Sequence, residues 1–337
     1  MFSKNEITFS IIVPIFNSES SIERCVLSVV AQKFKNWELI LVDDGSYDNS
    51  ASICKYFQSK HPDKIKIIIS EKNEGQLSAR FKGVLSSSGA YVLFLDSDDT
   101  YENDTLFILD QALKMHPSDL ISFNPNLIGA EAYKSIDIFK QKKVIYGAEK
   151  IVKEYLCNRI YGYSCFFAIK KSIALNAFSK TRTLSDLRYT EDLAFMFNVY
   201  TLSNLCYQLD EKLYNYYVTS DSASTNVNIK KYRDRFVCFN FIYGKNIFPS
   251  DVDKSTKLQI FFAVMSYARE SCFLTKKEAK SILKEIRNSA LFARYKKDNG
   301  NKERISKLMV KLLNLRMYHL FIVVTKKYYK RNHEKKN

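Results

Sequence analysis

Short apolar runs and amphipathic stretches alternate through the front of this chain, and that alternation leaves few folds open. TFSIIVPIF (8–16), WELILVDDGS (37–46), KIKIIIS (64–70) and AYVLFLDSDD (90–99) are aliphatic or β-branched runs bounded by turn residues. Between them lie SESSIERCVLSVVAQKF, SASICKYFQSKH and GQLSARFKGVLSSSG, whose apolar residues recur at helical spacing. The last of these is expected to be helical from about Leu77 to Leu85 and to close at Gly89. Short apolar strands joined by helical crossovers form a parallel sheet. The predicted class is therefore α/β, with a mostly parallel sheet and helices on both faces. Ligands of such sheets bind beyond the carboxyl ends of the strands. The polar punctuation falls there: Pro14-Ile15-Phe16-Asn17 ends the first strand, Asp43-Asp44-Gly45-Ser46 the second, and Asp96-Ser97-Asp98-Asp99 the fourth.

Further on, LFILDQALKMH reads as a helix, DLISFNPNLIG as a strand, and NLCYQLDEKLYNYYV as one or two strands. A helix is expected to start near Glu191, and YGAEKIVKEYLCNRIYGYSCFFAIKKSIAL mixes helix with an irregular aromatic piece. From about Asn228 the text is helical and rich in lysine. Charge divides the chain in the same place. Residues 1–224 carry 25 Lys/Arg against 27 Asp/Glu, whereas residues 225–337 carry 27 against 9. We expect two domains, 1–225 and a basic, mainly helical 226–337. A basic segment attracts phosphate, in nucleic acid or on an anionic membrane.

With 46% apolar residues, nine Gly and five Pro, the composition excludes fibrous and disordered classes. The seven cysteines form no CxxC pair, and the opening MFSKNEITFSIIVP has neither a basic leader region nor a cleavage site. Free thiols in a reducing cytoplasm are expected. The best membrane-span candidate, MYHLFIVV (317–324), is far shorter than the roughly 18–20 apolar residues a crossing needs.

Three acidic motifs carry candidate chemistry, and each has a plainer alternative. Asp96-Ser97-Asp98-Asp99 offers hard oxygen ligands to a divalent cation that also takes substrate phosphate; a solvated turn or helix start would read the same. An EF-hand is excluded, since Tyr101 and Phe107 stand where Gly and Glu are required. LVDDGSYDNS (41–50) can hold a nucleobase or ribose, or be an Asp-Gly turn. YTEDLAF (189–195) can supply a general base, or its acids can favour the helix dipole.

Taken together, in this order, the motifs resemble the family 2 glycosyltransferases of the GT-A fold, inverting enzymes that build bacterial capsules, O-antigens and related polysaccharides. The matching stretches are FSIIVPIFNSESSIERCVLSVVAQKFKNWELILVDDGSYDNS, NEGQLSARFKGVLSSSGAYVLFLDSDD and TEDLAF, and the likeness covers roughly residues 8–220. It implies a GT-A, Rossmann-like domain with a C-terminal helical extension. It also implies roles. Pro14, Phe16 and Asn17 shape the nucleotide pocket, Glu19 lies near the nucleotide, and Asp44 holds the base. Asp96 faces the ribose, Asp98 holds Mn²⁺ or Mg²⁺ on the diphosphate, and Asp192 is the catalytic base. Arg80 occupies the family's basic position after the third strand, although Phe81 stands where relatives often carry Asn.

The implied reaction moves a sugar from a nucleotide-sugar donor, a UDP-hexose or UDP-N-acetylhexosamine, to a hydroxyl of a lipid-linked saccharide acceptor. Two other readings compete. A sugar-phosphate nucleotidyltransferase would open with a Gly-rich, Arg-containing loop, but PIFNSESS has no Gly. A non-enzymatic membrane-associated scaffold would not need Asp44, Asp96, Asp98 and Asp192 together. In the rear, Ile305, Leu308, Met309, Leu312, Leu313, Leu320 and Phe321 recur at helical spacing, punctuated by Lys307, Lys311, Arg316, Lys326, Lys327, Lys330 and Arg331. Such a basic amphipathic helix either lies in an anionic membrane surface or packs on the core. The first choice places the protein in the cytoplasm, peripheral on the inner face of the membrane. No zinc or RNP motif supports nucleic acid as a partner.

Overall fold

The computed structural model describes residues 8–129, 141–157, 159–184, 186–218, 229–243, 254–297, 308 and 311–334. The chain divides into two compact units, Met1–Tyr155 with Arg159–Asn226, and Leu156–Asn158 with Val227–Asn337. The expected boundary at 225/226 and the first seven residues of the N-terminal opening lie outside the described residues.

The first unit is built on a nine-stranded sheet. Its strands are β1 (Phe9–Ile15), β2 (Trp37–Asp43), β3 (Ile65–Ile69), β4 (Tyr91–Phe94), β5 (Thr100–Tyr101), β6 (Leu120–Ile128), β7 (Lys143–Tyr146), β8 (Phe167–Lys170) and β9 (Leu205–Tyr217). The order is β3-β2-β1-β4-β8-β6-β9-β5, with β7 also on β9. Strands β1 to β4 pair in parallel, and β6 and β9 run the same way. Strands β5, β7 and β8 oppose them. The sheet is thus mostly parallel. Strands β1 and β2 are buried along their whole length, which is why they read as unbroken apolar runs rather than alternating ones.

The helices that connect the front strands are α1 (Ile22–Val30), α2 (Ser50–Lys60) and α3 (Gln76–Ser86). Proline is tolerated in β1 because β4 pairs only with Phe9–Ile12, so β4 has already peeled away from Pro14. That divergence opens the crevice between β1 and β4, where the strand order reverses direction from β1. Gly89 is required where the chain re-enters the sheet. Its N–H donates to Ser10 Oγ at 2.9 Å, and a Cβ there would lie 2.8 Å from the backbone nitrogen of Ser10.

Three short strands were not legible as strands. The most consequential is β8, inserted antiparallel between β4 and β6. It is four residues long and follows a single 3-10 turn, Ser164–Phe166, so it shows no periodicity of its own. Four further helices follow, α4 (Thr105–Met115), α5 (Ala148–Leu156), α6 (Lys171–Thr181) and α7 (Glu191–Leu202), of which α6 and α7 matter below.

The second unit is helical, as expected. It contains Ile229–Tyr243, Lys254–Ser271, Lys276–Asn288, Ala290–Lys297 and a final helix, Tyr318–Glu334. Phe236, Val264, Leu283, Phe292, Leu313 and Phe321 are buried within it. The rear amphipathic segment is not one continuous helix. It breaks at Arg316, whose φ is 58°. The Met317 N–H donates to Leu312 O at 2.9 Å and the Arg316 N–H to Leu313 O at 3.2 Å, a Schellman cap with arginine in the place glycine usually takes. Ile305, Lys307 and Met309 lie outside the described residues. Among the described residues, no helix is long and apolar enough to cross a membrane.

Gly89→Ala should lower stability by about 1–3 kcal/mol, because the added methyl collides with β1 backbone as well as with the Ser10 hydroxyl that Gly89 N–H bonds. Thermal unfolding of the two proteins checks this; an unchanged midpoint would mean the turn can shift without cost.

Candidate active site

The ends of β1 and β2 are laced together by side chains. Asn17 adopts φ 51°, a conformation its short polar side chain tolerates. Its Oδ1 accepts from the Tyr47 N–H at 2.9 Å, and its own N–H donates to Ser46 Oγ at 3.0 Å. Glu19 Oε2 accepts from the N–H and Nδ2 of Asn49 at 3.0 and 3.1 Å. Asn17 and Glu19 therefore build the loop, and their side-chain oxygens face β2. Pro14 is buried in β1. Beside the exposed Asn17 and Glu19 this rim presents an aromatic pair: Phe16 is 41% exposed and meets Tyr47, 85% exposed, edge to face at 5.9 Å.

Asp44 is buried at the end of β2, and its carboxylate faces the start of α3. It accepts from the Gly75 N–H at 2.7 Å and from the Glu74 N–H at 3.1 Å. Gly75 has φ 98°, and a Cβ there would lie 2.0 Å from Arg188 Nη1, so glycine lets Arg188 cover this helix start. Arg188 had no local signal in the sequence.

Beyond β4 the acids separate into distinct environments. Asp96 Oδ1 accepts from Gln76 Nε2 at 2.9 Å and from Arg80 Nη2 at 2.8 Å. Ser97 Oγ lies 2.7 Å from Ser18 Oγ, which ties this turn to the β1 loop. The Asp98 carbonyl accepts from Arg24 Nη2 at 2.6 Å, and the Arg24 guanidinium lies 3.7 Å over the Tyr217 ring. The Asp98 carboxylate is exposed, and among the described residues no other residue donates to it. Burial of the turn and the neighbouring Asp96 push its carboxyl up.

Asp99 is 1% exposed and belongs to the scaffold. Tyr214 Oη donates to its Oδ2 at 2.6 Å and the Tyr217 N–H to its Oδ1 at 2.8 Å. Burial and Asp96 push Asp99 up to about 8. Tyr214 Oη also accepts from the Asp96 N–H at 3.3 Å. The last strand of the sheet thereby fixes the acidic turn from the far side.

Arg80 connects the third motif. It is 1% exposed, one face of α3 turned fully inward. Its Nη1 pairs with Asp192 Oδ1 and its Nη2 with Asp96 Oδ1, while its Nε finds no partner. Burial disfavours its charge, but Asp192 and Asp96 more than offset that and raise its pKa. Its guanidinium is spent on these two carboxylates. Phe81, next along the helix, instead joins Phe178 of α6 at 5.3 Å, so it leaves Arg80 undisturbed.

Asp192 sits in the first turn of α7, entered through Thr190 at φ 61°. A β-branched residue there is strained, and such strain clusters at functional sites. Asp192 Oδ2 accepts weakly from the N–H and Oγ of Ser164, at 3.4 and 3.3 Å. Burial raises its carboxyl against the opposing pull of Arg80. Glu191 beside it is buried and pushed up to about 7, first by burial and then by Asp192. Among the described residues, no cluster of three or more His, Cys, Asp or Glu could hold a metal alone. A cation here would rely on Asp98 and on oxygens of a bound substrate.

Three kinds of likeness agree with this arrangement. Residues 10–176 match the family described as Glycosyl transferase family 2. GlyA, a glycosyltransferase of Streptococcus pneumoniae serotype 4, is 28% identical over 64% of this chain and 31% of its own length. TuaG of Bacillus subtilis (strain 168), named for a glycosyltransferase role in teichuronic acid biosynthesis, is 29% identical over 64% of this chain and 81% of its own. The chain spans about a third of the first curated relatives it matches, 31% of GlyA and 38% of the S. pneumoniae glycosyltransferase GlyG. Among solved structures, S. aureus TarS 1–349 superposes with a TM-score of 0.69 at 19% identity, covering 96% of this chain and 91% of that one. Crystals of the same TarS segment hold UDP, at a TM-score of 0.70, and UDP-GlcNAc, at 0.69. The likeness to TarS gives the first unit's sheet a GT-A fold, and residues 10–176 place that part of the chain in glycosyl transferase family 2.

Proposed function

We propose that this chain is a metal-dependent, inverting glycosyltransferase that moves a sugar from a nucleotide donor to a saccharide hydroxyl in cell-surface polysaccharide synthesis. One observation carries the reading. The buried Arg80 holds Asp96, at the donor-side strand end, and Asp192, at the head of α7, on two nitrogens of a single guanidinium. Two acids far apart in sequence thus face one crevice at a fixed separation. TarS, of the same fold, binds UDP and UDP-GlcNAc. That supports a UDP-hexose or UDP-N-acetylhexosamine as donor. The base would lie against Asp44 and the Phe16–Tyr47 rim, and the ribose against Asp96.

Asp192 acts as the base. Its carboxyl is raised by burial, which strengthens it as a proton acceptor. It takes the acceptor hydroxyl proton as that oxygen attacks the anomeric carbon opposite the leaving diphosphate. Direct displacement inverts the configuration. The free carboxylate of Asp98 suits a hard cation that keeps most ligand positions for phosphate. Bound Mn²⁺ or Mg²⁺ would stabilise the charge that develops on the diphosphate. The acceptor is read as lipid-linked, with the protein peripheral on the inner face of the membrane through its basic second unit.

A nucleotidyltransferase would present the loop after β1 to phosphate. Here the N–H groups of Asn17, Ser18 and Glu19 are already engaged by Ser46, Ser50 and Asp48. Hydrolysis of UDP-, GDP- and TDP-sugars with Mn²⁺ in the absence of acceptor tests the proposal, and no release from any of them would sink it.

Asp98→Ala should leave the melting temperature unchanged and lower turnover at least ~10³-fold, the scale of losing a metal-held diphosphate. Steady-state rates with and without EDTA check it; near-normal turnover, or wild-type activity insensitive to chelation, removes the metal role. Asp192→Asn should keep donor affinity by calorimetry while turnover falls ~10²–10⁴-fold. A parallel loss of donor affinity would make Asp192 a donor-binding or structural residue instead.

A further inference from the structure

The second unit contains a groove that the catalytic reading does not use. It runs between the helix Lys276–Asn288 and the final helix Tyr318–Glu334, and encloses about 150 Å³. Its floor is apolar, formed by Leu274, Ala279, Ile322 and Val323. Its rim is basic, formed by Lys276, Lys280, Lys326 and His319. All four rim residues are exposed, and none forms an ion pair among the described residues. The nearby acid Glu278 is held in a capping box with Thr275, so its charge faces its own helix start.

Apolar side chains stand exposed beside the rim. Val323 is 46% exposed and Leu320 41%, with Met317 and Phe273 also open. Burying such groups in water-free surroundings is favourable, yet here they are interleaved with cations. A soluble phosphate would satisfy the lysines and leave the apolar floor wet. A neutral apolar ligand would cover the floor and desolvate three lysines without a counter-charge. An amphiphile with an anionic head and an aliphatic chain satisfies both.

We propose that this groove is a binding site for the phosphate headgroup of an anionic membrane lipid. Lys276, Lys280 and Lys326 hold the phosphate, while Leu320 and Val323 enter the acyl region beside it. The site deepens the membrane-facing reading of the second unit and rests on it. It says that attachment runs through one formed pocket rather than through a diffuse basic surface.

The test is flotation of the full chain with phosphatidylcholine vesicles, with and without phosphatidylglycerol. Wild type should float only with the anionic vesicles. Lys276→Glu/Lys280→Glu/Lys326→Glu should bind them at least ~10²-fold more weakly, since each basic residue near an anionic surface contributes measurably to binding. Lys55→Glu/Lys60→Glu, on α2 of the first unit, should bind within about threefold of wild type. Donor hydrolysis and thermal unfolding of each variant should match wild type. If the triple variant floats like wild type, the groove is not the site although the membrane reading survives. If wild type ignores anionic vesicles, both fall. Binding that inorganic phosphate competes away, or that soluble polyphosphate matches, would make this a free-anion site and overturn the lipid assignment. Loss of donor hydrolysis in wild type would strike the catalytic proposal and leave the groove untouched.

Discussion

A buried guanidinium shared by two carboxylates is the constraint on which the site depends. Taking a charge out of water is costly, and Arg80 is withdrawn almost completely. It is tolerable only because Asp96 and Asp192 answer it from two sides. Removing either acid would leave a buried positive charge half-compensated. Removing the arginine would leave two carboxyls in a low-dielectric crevice with like charge between them. The geometry of the three is therefore stiff, and on the proposed reading that stiffness fixes the base Asp192 relative to the donor-side Asp96.

The surrounding fold exists to bring these groups together. Asp96 arrives on the end of β4, Arg80 on the inward face of α3, and Asp192 on the first turn of α7. The antiparallel strand β8 and its preceding turn set Ser164 against Asp192. From the other side β9 reaches back with Tyr214 and Tyr217 to pin Asp99, leaving Asp98 as the acid of the turn that faces outward. A run of three acids in four residues is thus divided into a carboxylate held by Arg80 and Gln76, an exposed carboxylate and a buried anchor. Their mutual repulsion is met by Arg80 at Asp96, by tyrosine at Asp99, and, on the proposed reading, by a cation at Asp98.

Much of this is legible in the sequence. The parallel strands β1, β2 and β4 announced themselves because both their faces are buried, and the acidic ends of β2 and β4 marked the sheet edge. Helix α7 was visible from Thr190-Glu191-Asp192 at its head. What was not legible came from contacts that local sequence does not encode. Strand β8 is too short to show a period. Arg80 is legible only as the family's basic position, and the tertiary arrangement sets it between two acids. Gln76, Ser164 and Tyr214 are ordinary polar residues until distant elements place them against Asp96, Asp192 and Asp99. The rear helix was read as continuous because arginine at a left-handed cap carries no signal comparable to glycine.

On the proposed reading Arg80, Asp192 and Asp96 act as one unit. A double-mutant cycle tests it most directly: Arg80→Met and Asp192→Asn, alone and combined, followed as kcat at saturating nucleotide sugar, with folding checked by circular dichroism. If the arginine serves to hold the base, the double variant should be no slower than the slower single variant, to within about threefold. If the two losses multiply, the residues work independently, and the shared guanidinium is not what organises this site.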